Sequence, residues 1–190
     1  SLMDNEPFIL TNILGVQRLI DACVRHGKRF HHVSTDEVFG SLGPDDDKFT
    51  EETPYDPRNP YSATKAASDH LVRAAMHSHA LRGTISNCTN NYGPFLYPEK
   101  FLAIAITNLM ENHPISIQGD GRQIRDWITA RDHGLGILSI LEKGQIGHTY
   151  MMGGDAELTI ADTARAVIKA MGAHEEMLKF TQDRPGQDRR

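Results

Sequence analysis

Apolar side chains recur at Ile9, Ile13, Val16, Ile20 and Cys23, and Leu10 and Leu14 widen the stripe. That spacing predicts a helix over residues 8–25, ended by Gly27. Residues 30–34 form a short β-like run with Thr35-Asp36-Glu37 at its carboxyl end. Residues 41–58 are acidic, polar and rich in proline, the pattern of a surface loop. A helix over 60–80 follows, with Asn59 as N-cap and Pro60 in its first turn. Its small residues Ala63, Ala66, Ala67, Ala74 and Ala75 permit close packing. Residues 84–88 read as a second buried strand, broken by Asn90-Asn91-Tyr92-Gly93-Pro94. Next come a helix over 99–112, a strand over 115–118, the turn Gly119-Asp120-Gly121, an extended run over 124–129 and a helix over 132–142. Residues 150–152 make a third core strand. Thr159 and Asp162 set a capping box for a further helix that Gly172 stops, and residues 177–181 are extended.

Strands alternating with helices predict an α/β layered fold with parallel pairing, built on about three core strands. The expected organisation is an α/β unit over 3–97 and a mixed, interleaved segment over 98–190 that includes the last core strand and helix. Composition narrows the function. A formal net charge of −5 without a basic stripe argues against a nucleic-acid role. No run of about 18 apolar residues appears, so no membrane span is expected. Cys23 and Cys88 sit far apart in apolar contexts and read as reduced core thiols of a cytoplasmic protein. The ten histidines form no metal-binding array, so no metal is expected.

The candidate chemistry starts with Tyr61 and Lys65, four residues apart on one face of a helix. An ammonium beside a phenol favours phenolate and pulls the tyrosine pKa toward working pH; a plain surface pair is the alternative. Asp36 and Glu37 are adjacent carboxylates beyond a strand end, where ligands bind in open α/β sheets. One can serve as acid and the other as base, or both can be a solvated turn. Asn90 and Asn91 offer amides for a sugar hydroxyl or a cofactor carboxamide. Arg125 and Lys100 suit phosphate oxygens, or an internal pair with Asp126 and solvent respectively.

Six motifs then occur in order: Ser34-Thr35-Asp36-Glu37-Val38-Phe39-Gly40, Asn59-Pro60-Tyr61-Ser62-Ala63-Thr64-Lys65, Asn87-Cys88-Thr89-Asn90-Asn91-Tyr92-Gly93-Pro94, Pro98-Glu99-Lys100, Gln123-Ile124-Arg125-Asp126-Trp127 and Asp183-Arg184-Pro185-Gly186. Together they resemble the dTDP-glucose 4,6-dehydratases of the extended short-chain dehydrogenase/reductase superfamily. The resemblance implies a partial Rossmann-like parallel sheet flanked by helices, with part of a smaller substrate-binding subdomain. It implies NAD as cofactor and a nucleoside-diphosphate hexose as substrate. Catalysis would fall to Thr35, Asp36, Glu37, Tyr61 and Lys65. Tyr61, Lys65 and Asn91 would hold the nicotinamide side. Asn90, Lys100, Phe101, Gln118, Arg125, Asp183 and Arg184 would hold the substrate. The resemblance also implies a homodimer through helices 8–25 and 60–80.

Four positions depart from that family's pattern: Phe39 and Gln118 each replace a tyrosine, Met151 an asparagine and Gln187 a histidine. The family opens on a glycine-rich turn that cradles the NAD diphosphate, and these residues hold no counterpart. The chain therefore reads as the catalytic and substrate half of such an enzyme. An epimerase or decarboxylase of nucleotide sugars, and a non-catalytic remnant that only binds them, are the alternative readings.

Overall fold

The computed structural model describes residues 4–182 and 189–190. They divide into two compact units. The first comprises the chain up to Thr89 together with Asp132–Met152; the second comprises Asn90–Arg131 and the residues from Gly153 onward. The division falls at Thr89 and Asn90, and the chain returns to the first unit over Asp132–Met152.

The first unit is α/β, with a parallel sheet of strands β1 (Arg29–Thr35), β2 (Arg82–Cys88) and β6 (Thr149–Met152) in the order β1-β2-β6. Arg29 to Thr35 run in register beside Arg82 to Cys88, and Ile85 to Cys88 beside Thr149 to Met152. Helix α1 (Glu6–Arg25) precedes β1, and helix α2 (Pro60–Ser78) joins β1 to β2. Ile20 of α1, Val72 and Ala75 of α2, and Leu81 and Ile85 pack into one core cluster. The fold class expected from strand–helix alternation is the one observed.

Helix α1 differs from the expectation in two respects. Its segment Ile9–Gly15 is wound as a π-helix, which local periodicity does not register. Over Glu6–Arg25 its length and mean hydropathy of 1.3 are also enough to cross a membrane, although Asn12, Gln17, Arg18 and Asp21 interrupt any apolar run. Ile9, Leu10, Leu14 and Leu19 are exposed along it.

The second unit holds short strands β3 (Asn90–Tyr92), β4 (Ile115–Gln118), β5 (Ile124–Thr129), β7 (Glu157–Thr159) and β8 (Leu178–Thr181). They pair as β3-β5-β7 and as β4-β8. Residues 90–92, expected to break the preceding strand, instead form β3 in parallel with Trp127 to Thr129. Helices α3 (Phe101–Met110) and α5 (Ile160–Ala170) supply its apolar core, where Ala105, Leu109, Ile115, Ile117, Ala161, Ala164 and Ile168 are buried together. Thr159 caps α5 by accepting the Asp162 N–H at 2.9 Å. Helix α4 (Ala130–Lys143) belongs to the first unit from Asp132 onward and ends under the Arg29 guanidinium of that unit, which donates to the carbonyls of Ile140 at 2.8 Å, Gly144 at 3.1 Å and Leu141. The Ile140 carbonyl also accepts the Gly144 N–H at 2.9 Å, so Arg29 ties down the last turn of the helix.

Candidate active site

The five residues expected to be catalytic all lie in the first unit. Strand β1 delivers Thr35, and a 3₁₀ turn over Asp36–Phe39 follows at once. The turn is anchored from below. Val38 and Phe39 are buried, and with Ala66 of α2 they make a cluster flanked by Phe49, Tyr55 and Met151. Ala66 thus has a definite partner: a larger side chain there would displace Phe39. Met151, one of the departures from the family pattern, packs against the cluster that contains another, Phe39. Gly40 closes the turn at φ 95°, and a Cβ there would meet the Asp56 carbonyl oxygen at 2.7 Å.

Anchoring the turn holds the carboxylates in place. Thr35 Oγ1 donates to Asp36 Oδ1 at 3.2 Å and accepts the Glu37 N–H at 3.3 Å. Asn59 has two tasks. Its Oδ1 caps α2 by accepting the Ser62 N–H at 2.9 Å, and its Nδ2 donates to Glu37 Oε2 at 3.1 Å. The cap bond is reciprocated by the Asn59 N–H to Ser62 Oγ, a capping box. Glu37 is thereby tied to the first turn of the helix that carries Tyr61.

Tyr61 and Lys65 are both half-buried, and their electrostatics differ from the simple expectation. Burial, then the nearby Glu37, Cys88, Asp36 and Asp69, push the Tyr61 phenol up to about 12. Burial draws the Lys65 ammonium below its ordinary value, with Asp69 and Cys88 opposing. The Lys65 Nζ donates to the Val33 carbonyl at 2.7 Å. Spacing put the pair on one helix face correctly; it could not foresee that burial, with Glu37, Cys88, Asp36 and Asp69 adding to it, raises the phenol instead.

The site also contains residues that the sequence reading missed. Asp69 is fully buried, and its Oδ2 accepts from Ser34 Oγ at 2.9 Å, Tyr55 OH at 2.8 Å and Asn87 Nδ2 at 3.3 Å. Its Oδ1 lies 3.1 Å from His32 Nε2. Asn87 Nδ2 also donates to the Thr35 carbonyl at 3.0 Å. The available signal was the continuation of Tyr61 and Lys65 to Asp69 and Arg73 at the same four-residue step.

The expected substrate residues fall in the second unit. Asn90 and Asn91 are half-buried on β3, opposite Trp127 and Ile128 of β5. Lys100 is exposed at the N-cap of α3, and Phe101 packs on the unit's apolar core. Gln118 is exposed at the end of β4, and its carbonyl accepts from Gln123 Nε2 at 3.2 Å. Arg125 donates to the Ile124 carbonyl at 2.7 Å, while Asp126 accepts the amides of Gly154 and Ala156. Asp183 and Arg184, and the departure at Gln187, lie outside the described residues.

Comparison with known proteins gives a consistent result. The model of the NAD dependent epimerase/dehydratase family matches residues 1–153. The dTDP-glucose 4,6-dehydratase of Mycolicibacterium smegmatis is 44% identical over 191 residues, covering 100% of this chain and 58% of that protein. Among solved structures, a Streptomyces venezuelae dTDP-glucose 4,6-dehydratase with NAD and TYD bound superposes with a TM-score of 0.96 at 38% identity, over 100% of this chain and 59% of that one. A Bacillus cereus UDP-glucuronic acid 4-epimerase in complex with UDP-glucuronic acid and NAD gives 0.89 at 27%, over 95% and 57%. The chain spans less than two thirds of the length of each.

Proposed function

The chain belongs to the NAD dependent epimerase/dehydratase family, and from that premise we propose that it takes part in the 4,6-dehydration of a nucleoside-diphosphate hexose. The observation that supports dehydration over epimerisation is the anchored acidic turn Asp36–Phe39 beside Tyr61. Elimination across C5 and C6 needs a base and an acid of its own, whereas epimerisation at C4 needs only the group that exchanges the C4 hydroxyl proton.

In this reading Tyr61 acts as the phenolate, whose oxygen takes the C4 hydroxyl proton, and Thr35 Oγ1 hydrogen-bonds to the oxygen left behind. The ketone at C4 acidifies the C5 proton, which the Glu37 carboxylate removes. Asp36 gives its proton to the C6 hydroxyl, which leaves as water, and Glu37 returns its proton to C5. The proton gained by Tyr61 balances the one given by Asp36. The donor set fits the proposed cofactor: an ammonium and a phenol on one helix face suit the hydroxyls of a ribose, with Asn91 offered to a carboxamide. When bound, NAD supplies the hydride acceptor at C4 and the hydride returned to C6, so it is not consumed. Asn90, Lys100, Phe101, Gln118 and Arg125 serve the sugar diphosphate and nucleoside.

The same reading includes a homodimer through α1 and α2, supported by the exposed Ile9, Leu10, Leu14 and Leu19. A monomer in sedimentation would count against it. A cytoplasmic site of action fits the two free thiols, Cys23 and Cys88.

The test is incubation with dTDP-glucose and NAD⁺, followed by detection of a 4-keto-6-deoxy sugar nucleotide. Product formation excludes a binding-only role. Glu37→Gln is then expected to lower turnover by about 10²- to 10⁴-fold, the usual worth of a general base, while C4 oxidation persists. Wild-type turnover in that variant would remove Glu37 from the mechanism.

A further inference from the structure

We propose that Asp69 is a positioning residue that sets the charge state of Lys65 and Tyr61 and fixes the strand end bearing Thr35. The proposal rests on geometry. Tyr61, Lys65, Asp69 and Arg73 follow one another at four-residue steps along α2, so they form one column on the helix. Asp69 is the column's buried member, at 0% exposure. Ser34 Oγ, Tyr55 OH, Asn87 Nδ2 and His32 Nε2 converge on its two oxygens, from β1, the loop before α2, and β2.

A carboxylate this deep stays ionised only when donors replace the lost water. Here they do: burial is outweighed by the bonds from His32 and Tyr55, the His32 charge and the bond from Ser34, and the carboxyl is held below its usual range. The result is a fixed negative charge one turn from Lys65. It opposes the burial that would strip the Lys65 proton, and it helps keep the Tyr61 phenol protonated. The other titratable or charged groups around the column are His32 on β1, Tyr55 in the loop, Cys88 on β2, Asp36 and Glu37 in the acidic turn, and Arg73. Arg73 donates to Tyr55 OH at 2.9 Å and lies 4.8 Å from its ring centroid. Asn87 carries the second effect, since its amide reaches both Asp69 and the Thr35 carbonyl.

The consequence for catalysis rests on the dehydratase reading; the charge effect does not. The experiment is competitive acetylation of the full chain with acetic anhydride across pH, with Lys65 labelling read by peptide mass spectrometry against the other lysines. Asp69→Asn keeps the shape and removes the charge. Its Lys65 midpoint is expected to fall by about one pH unit, a roughly tenfold gain in reactivity below the midpoint. Ser34→Ala removes one donor and keeps the charge, so its midpoint stays. An unmoved midpoint in Asp69→Asn, or an equal fall in Ser34→Ala, overturns the proposal. If Asp69→Asn does not fold, His32→Gln combined with Asp69→Asn replaces the buried carboxylate and its imidazole partner as a unit and carries the same expectation. No turnover is needed, so the charge effect stands or falls independently of the reaction.

Discussion

Both units have an apolar cluster, but the first adds an extended polar interior, which the second lacks among the described residues. In the first, the side chains buried beneath the acidic turn and Tyr61 include His32, Ser34, Ser62, Thr64, Ser68, Asp69, Thr84, Ser86 and Asn87. In the second, the core of Ile115, Ile117, Leu109, Ile168 and their neighbours is apolar, and Gln123 and Thr163 are its buried polar side chains among the described residues. An apolar core is held by area and shape, and tolerates any side chain of suitable volume. A polar core is held by matched donors and acceptors, each of which fixes its partner's direction. The proposed chemistry, which requires directed protons, falls in the unit with the directional interior.

The comparison can be broken most directly in the first unit. His32→Leu leaves the buried Asp69 carboxylate without the imidazole at 3.1 Å and should cost roughly 3 kcal/mol or more; chemical denaturation showing a loss under about 1 kcal/mol would mean that the network is not what holds this unit. The matching change in the second unit is Ile168→Ala. It leaves a cavity and should cost about 2–4 kcal/mol. Hydrogen exchange should show the protection loss centred on α5 and β4, and a loss spread evenly over β1 and β2 would contradict two separate cores.

The smallest effect concerns pH. His31 bridges the hydroxyls of Thr84 at 2.9 Å and Ser86 at 3.1 Å, and burial, then His32, Arg29 and His133, push it down to about 4. The folded state therefore binds this proton less readily than the unfolded chain does. Stability from His31 is complete above about pH 6.5 and is lost as pH falls toward 4. Because the ring is about half exposed, roughly 1 kcal/mol is expected. Urea titrations between pH 7.5 and 4.5 measure it, and His31→Gln should flatten the slope. An unchanged slope would remove His31 as its source.

What the sequence revealed follows the same division. Elements whose signals are local were readable: the α2 cap at Asn59, the α5 cap at Thr159, the stop at Gly172, and the three parallel strands. The short strands β3 and β7 were not, because three-residue strands carry no period and exist only through their pairing with β5. Tyr61 and Lys65 were visible as a pair, but the direction of the Tyr61 shift depends on burial and on charges from other elements. Asp69 was invisible as a hub, since its partners lie 14 to 37 residues away in sequence.

The double attachment of Asn59 has one further consequence. The same side chain closes the first turn of α2 and steadies the Glu37 carboxylate. If that turn frays, the carboxylate loses its anchor in the same event. In the proposed reaction the protein is thus armed only when folded: a chain caught half-assembled, or opening locally, presents an unaimed acid residue rather than a competent base. Quality control of the chemistry and of the fold is vested in one amide.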